Sequence, residues 1–114
     1  CNEIKKNLRG NVIFVINFPL KKTAALVGTC KVFVAGDTGL THIAAARKVQ
    51  TVVIFGPTLI ERTGPVGKNI HAVKANCSYQ YHDIFSKKYD FNKKHSCLKK
   101  ISPEDIFKEV KNLI

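Results

Sequence analysis

The residues of this 114-residue chain whose types and spacing could do chemistry gather at Gly36-Asp37-Thr38-Gly39-Leu40-Thr41-His42. Two glycines in four positions permit a tight turn and close approach of the backbone to a ligand. Asp37 or Thr38 can cap a helix that begins there, and Ile43-Ala44-Ala45-Ala46 supplies good helix-forming residues for it. The amides of Gly39, Leu40, Thr41 and His42 then fall in a first turn, where donors lack partners within the helix and the dipole adds roughly half a positive charge. A phosphate or pyrophosphate fits such an end, with the Thr38 and Thr41 hydroxyls and the His42 ring as further donors. An ordinary capped strand-to-helix turn carries the same glycine spacing, so the pattern alone leaves both readings open.

A turn of this kind meets a ligand when a strand before it and a helix after it place it at the carboxyl edge of a sheet. Three runs, Val12-Ile13-Phe14-Val15-Ile16, Lys31-Val32-Phe33-Val34-Ala35 and Thr51-Val52-Val53-Ile54-Phe55, are short and β-branched. Their apolar character is nearly continuous, which predicts strands of a parallel sheet buried on both faces. Between them, residues 20–29 and 40–48 read as short helices. The order is β-α-β-α-β, an α/β fold with a Rossmann-like parallel sheet and flanking helices. A fourth strand is expected over Ile70-His71-Ala72-Val73, after a loop at 56–68 rich in Thr, Gly and Pro. Residues 77–100 turn polar and aromatic without a period and read as a long excursion, with one helical turn near 82–87. At Ser102-Pro103-Glu104-Asp105, a cap, a proline suited to the first helical position and two acids announce a C-terminal helix. Ile106, Phe107, Val110, Leu113 and Ile114 form its apolar stripe.

With 45% apolar residues the chain can build one small core, and a two-domain enzyme does not fit in its length. No run of about 18 apolar residues is present, so no membrane-spanning helix is expected. The sequence contains no Met, which reads as a hint of a piece of a longer protein. A net charge of +11 would favour phosphorylated substrates, anionic lipid or nucleic acid. The lysines are dispersed, however, and no RNA-recognition or helix-turn-helix signature accompanies them, so specific nucleic-acid binding is not expected. Four irregularly spaced cysteines make no secreted disulfide scaffold and place the chain in a reducing cytoplasm.

The stretch Ala-Gly-Asp-Thr-Gly-Leu-Thr-His-Ile-Ala-Ala-Ala at 35–46, followed by Phe55-Gly56-Pro57-Thr58 and by Arg62-Thr63-Gly64-Pro65, resembles the donor-site signature of the lipopolysaccharide heptosyltransferase family. The likeness runs over most of the chain, to Cys97 and the start of the C-terminal helix. It implies the carboxyl-terminal, donor-binding half of a two-domain GT-B enzyme, with residues 1–114 a single partial domain and the amino-terminal acceptor domain absent. It further implies an ADP-heptose donor, an inner-core lipopolysaccharide precursor as acceptor, inversion at the anomeric carbon and no cofactor or essential metal. Asp37 would contact sugar hydroxyls, the amides from Thr38 to His42 would hold the pyrophosphate, and Gly56, Pro57 and Thr58 would border the site. The general base would lie in the acceptor domain, so no catalytic residue is assigned here and the chain alone is expected not to turn over. The place would be the cytoplasm, with peripheral contact at the anionic inner face of the inner membrane. A non-catalytic nucleotide-binding module and a basic nucleic-acid-binding domain are the alternatives.

By the same resemblance, Cys77 and Cys97 stand at the first and last of four positions that carry cysteine in many relatives, Gln80 and a residue near Asp90 taking the others. A paired loss with a paired retention implies that Cys77 and Cys97 are neighbours. Three readings stand: a close thiol pair or disulfide, a zinc site with His82 and His95, and unrelated buried cysteines. The spacing matches no standard zinc finger.

Overall fold

The computed structural model describes residues 2–77 and 96–114. Its centre is a three-stranded sheet, β1 (Val32–Gly36), β2 (Gln50–Phe55) and β3 (Ile70–Lys74), in the order β1-β2-β3. Both pairings are parallel, with Val34 opposite Val52 and Val53 opposite Ala72. Parallel neighbours require crossovers. Helices α2 (Leu20–Val27) and α3 (Gly39–Ala46) precede β1 and β2, a short helix α4 (Ile60–Thr63) lies between β2 and β3, and α5 (Pro103–Asn112) ends the fold. A six-residue helix, α1 (Asn2–Asn7), precedes them all. Among the described residues no helix is long and apolar enough to cross a membrane.

Thr51, Val52 and Val53 are each fully buried, and consecutive strand residues face opposite sides of a sheet. Both faces of β2 are therefore covered, with α3 packed on β1 and β2 and α5 on β2 and β3. The outer strands are only half-buried, so the expectation of strands covered on both faces holds for β2 alone. Val27, Ala44 and Val49 form a buried cluster joined by Cys30 and Phe33. The small alanines matter here, since they bring α3 close to the strands.

The expected first strand is not formed. Residues 12–16 have no strand conformation, and Val12, Ile13, Phe14, Val15 and Ile16 are between 39% and 89% exposed. Strand preference is largely a preference for a pleated, half-buried surface, and this run joins none. Asn17, at a φ of 58°, turns the chain before α2 begins. The strands expected at 31–35, 51–55 and 70–73 appear with shifts of one residue at their ends. Helix α5 starts as read, with a reciprocal capping box in which the Ser102 hydroxyl accepts from the Asp105 amide and the Asp105 carboxylate accepts from the Ser102 amide. The helical turn expected near 82–87 lies outside the described residues. Helix α4 adds an element that the sequence pattern of the loop at 56–68 does not announce.

Candidate functional site

Because all three strands run the same way, the segments that follow them share one edge of the sheet. After β1 come Asp37 and Thr38; after β2, Gly56, Pro57 and Thr58; after β3, Ala75, Asn76 and Cys77. The return segment belongs to this edge as well. Cys97 is joined to Cys77 by a disulfide with Cα atoms 5.2 Å apart, and the Lys100 ammonium donates to the Asn76 carbonyl at 3.1 Å. Leu98 lies over Gly56, where a Cβ would come within 3.1 Å of its Cδ2. Of the readings for the cysteine pair, the bonded one is observed, with a separation in the usual range for a bridge, and it departs from the expectation of reducing surroundings drawn from the cysteine spacing. Among the described residues no three His, Cys, Asp or Glu side chains gather as a metal site, while His82 and His95 lie outside them.

The strand-to-helix turn has Thr38 as its N-cap, in extended conformation and with no bond from its own side chain to the helix amides. The cap is made the other way round. The Thr41 hydroxyl donates to the Thr38 carbonyl at 2.6 Å, and the Thr41 amide donates to the same oxygen at 3.1 Å. Thr41 is fully buried. Where the sequence suggests a donor to a ligand, the structure makes Thr41 the residue that locks the turn. Its spacing with Ala44 and Ala45, three and four positions on, is the inward face of α3, a signal already present in the sequence. Gly39 and Leu40 supply the first two amides of the helix, and Thr38, Gly39 and His42 are exposed.

The two glycines act differently from expectation. Neither Gly36 nor Gly39 has a positive φ, so the turn does not call on the special torsional freedom of glycine. A Cβ on Gly39 would meet nothing within 4 Å, and one on Gly36 only the Ile54 carbonyl at 4.0 Å. What Gly39 leaves is open space beside the helix end, which a ligand's backbone contact needs.

Asp37 is half-buried and accepts a hydrogen bond from the Thr63 hydroxyl at 2.7 Å. Thr63 closes α4, which rises from the turn after β2, so two neighbouring strand ends are tied across the edge. Gly56 and Pro57 are buried and Thr58 half-buried. Thus the structure brings Asp37, the start of α3 and the Gly56-Pro57-Thr58 turn to one edge. It adds a role for Thr63, which the sequence shows within Arg62-Thr63-Gly64-Pro65 without tying it to Asp37.

The family model for glycosyltransferase family 9 (heptosyltransferase) matches residues 2–96. The chain belongs to glycosyltransferase family 9. Within this heptosyltransferase family it is similar to lipooligosaccharide heptosyltransferase 2 of Campylobacter jejuni, at 33% identity over the whole of this chain and 36% of the relative. It is also similar to lipopolysaccharide heptosyltransferase 1 of Pseudomonas aeruginosa, at 27% identity over 91% of this chain and 32% of the relative. The chain thus spans about a third of the length of the curated relatives it matches. Among solved structures, the Escherichia coli heptosyltransferase WaaC with ADP superposes with a TM-score of 0.66 at 20% identity, over 88% of this chain and 26% of that one. That likeness establishes the α/β fold as the heptosyltransferase one, in agreement with the reading from the strand and helix order.

Proposed function

We propose that this chain is the donor side of a heptosyltransferase: it binds ADP-heptose at the edge formed by Asp37, Thr38, Gly39, Leu40 and His42, with Gly56, Pro57 and Thr58 at its border. The observation that carries the reading is the exposed start of α3 beside a carboxylate on the carboxyl edge of a parallel sheet. The Gly39 and Leu40 amides suit a diphosphate, and the Asp37 carboxylate, an acceptor when ionised, suits the hydroxyls of a sugar. The E. coli heptosyltransferase that shares this fold was solved with ADP, which supports a nucleotide of this class.

Transfer releases ADP as an anion, and amide dipoles already aimed at that charge lower the barrier without reorganising during the reaction. The chemistry proposed is inverting transfer of heptose to an inner-core lipopolysaccharide precursor, at the cytoplasmic side of an anionic membrane. Catalysis needs acceptor hydroxyl, base and anomeric carbon in one cleft. Of the described carboxylates away from the site, Glu3, Glu61, Glu104 and Asp105 are exposed and Glu109 is half-buried on α5, with Asp105 engaged in its capping box. The residues here supply the donor contacts, and the base belongs to the acceptor domain of such enzymes.

Incubating the purified chain with ADP-heptose and a truncated lipopolysaccharide acceptor, alone and with a separately expressed acceptor domain of a relative, tests this. Transfer only with the added domain is expected; transfer by the chain alone would refute the division of labour. Binding of single-stranded RNA with a steep salt dependence, and none of ADP, would favour charge-driven nucleic-acid binding instead.

A further inference from the structure

The contact between Thr63 and Asp37 has no counterpart in the motif reading, since 26 residues separate the two. We propose, resting on the donor reading above, that Thr63 is a positioning residue that holds the Asp37 carboxylate ready for the hydroxyls of the donor sugar. The Thr63 hydroxyl has one proton and two acceptors within reach, Asp37 Oδ2 at 2.7 Å and the Leu59 carbonyl at 3.1 Å. The shorter bond to a charged acceptor is the stronger. A carboxylate offers about four lone-pair sites over its two oxygens. Thr63 occupies one on Oδ2 and leaves Oδ1 and the rest to donors from outside.

The residues around Thr63 are suited to keeping it there. Gly64 donates its amide to the Ile60 carbonyl at 2.8 Å, and a Cβ on Gly64 would come within 2.5 Å of that same oxygen. Only glycine closes α4 this tightly, since the clash would be with backbone. Pro65 is buried next to it and anchors the chain as it leaves the helix. The Arg62-Thr63-Gly64-Pro65 sequence therefore reads as one device: threonine to reach Asp37, glycine to close the turn, proline to fix its exit. Its consequence is selectivity for the sugar. A carboxylate already held in place loses less freedom when a polyol binds, and ADP, which lacks the second sugar, gains nothing from it.

The test is calorimetric titration of the purified chain with ADP and with ADP-heptose, for the unaltered protein and for Thr63→Val, Thr63→Ser, Asp37→Asn, Asp37→Ala and the Asp37→Ala/Thr63→Val pair. Thr63 is exposed, so these changes are compatible with folding, and Thr63→Ala serves if the valine variant is unstable. Thr63→Val should weaken ADP-heptose about tenfold and leave ADP within about twofold, while Thr63→Ser stays near the unaltered protein. In the Asp37→Ala background, where position 37 offers no acceptor, Thr63→Val should add nothing, because its effect passes through the carboxylate. Equal weakening of ADP and ADP-heptose, or a loss that persists with Ala at position 37, would show that Thr63 merely holds α4 and would overturn the proposal while the donor reading stands. If Asp37→Asn leaves ADP-heptose binding unchanged, the donor role of Asp37 falls and the proposal falls with it.

Discussion

Two stretches of this chain have nearly the same local character and different fates. Residues 12–16 and 32–36 are both short, β-branched and apolar, and both lead through a turn into a helix. The second became β1, paired along β2 and covered by α3. The first forms no strand, and its exposure runs from 39% at Phe14 to 89% at Ile13. The difference is in what lies beside each run: β1 has a neighbour strand with fully buried residues and an alanine-lined helix, and among the described residues the earlier run is not a strand of the sheet. Apolar, β-branched sequence is a request for cover, and tertiary context decides whether it is met.

The largest effect expected from this contrast is in stability. Phe55→Ala, at a fully buried position at the end of β2, should cost about 3 to 5 kcal/mol in urea unfolding. Ile13→Ala should stay within about 0.5 kcal/mol. A loss above about 1 kcal/mol at Ile13 would break the comparison and place residues 12–16 in the core. Reduction of the Cys77–Cys97 bridge, which spans 20 residues, should lower stability by about 3 kcal/mol on a loop-entropy account, measured by unfolding with and without reductant. An unchanged midpoint would show that the return segment is held by Leu98 and Lys100 alone.

Thr41→Val keeps the shape of a buried side chain and removes its bond to Thr38. A cost of about 1 to 2 kcal/mol is expected, together with weaker ADP binding as the start of α3 loosens. Weaker ADP binding with full stability would instead return Thr41 to the role of direct donor. The smallest effect concerns α5, outside both regions. The Ser102 hydroxyl, then the Ser102 amide and Lys108, hold the Asp105 carboxyl below its ordinary value. A lowered value means that the helix-start stabilisation is present above about pH 4 and is lost as pH falls through the lowered value. Acid unfolding of Ser102→Ala should show a shallower pH dependence in that window, with a loss of about 1 kcal/mol at neutral pH. An unaltered acid profile would detach the carboxylate from the cap.

How far the molecule could be read from its residues follows the same line. The runs at β1, β2 and β3, the alanine helix after Thr38 and the Ser102-Pro103 start of α5 carry local signals, and local signals survive in the fold. The run at 12–16 carries one equally well and fails, because cover is not a local property. Helix α4 is hidden since four residues inside a Gly- and Pro-rich loop show no period. Asp37 and the first amides of α3 are legible as a turn at a strand end. That Thr63 reaches Asp37 is not, for it depends on β1 and β2 lying side by side. The inward turn of Thr41 is written in its spacing with Ala44 and Ala45, and the lure of a hydroxyl near a helix end obscures it.

The central claim is that a nucleotide diphosphate sits on the exposed start of α3 and not on the diffuse positive charge of the surface. Amide chemical shifts of the nitrogen-15-labelled chain during titration with ADP at two salt concentrations test it most directly. The account expects the largest shifts at Gly39 and Leu40, lost in Gly39→Val, whose side chain enters open space in the free chain, and kept in Lys48→Ala. Shifts of similar size at scattered lysines, fading together as salt rises and indifferent to Gly39→Val, would contradict it.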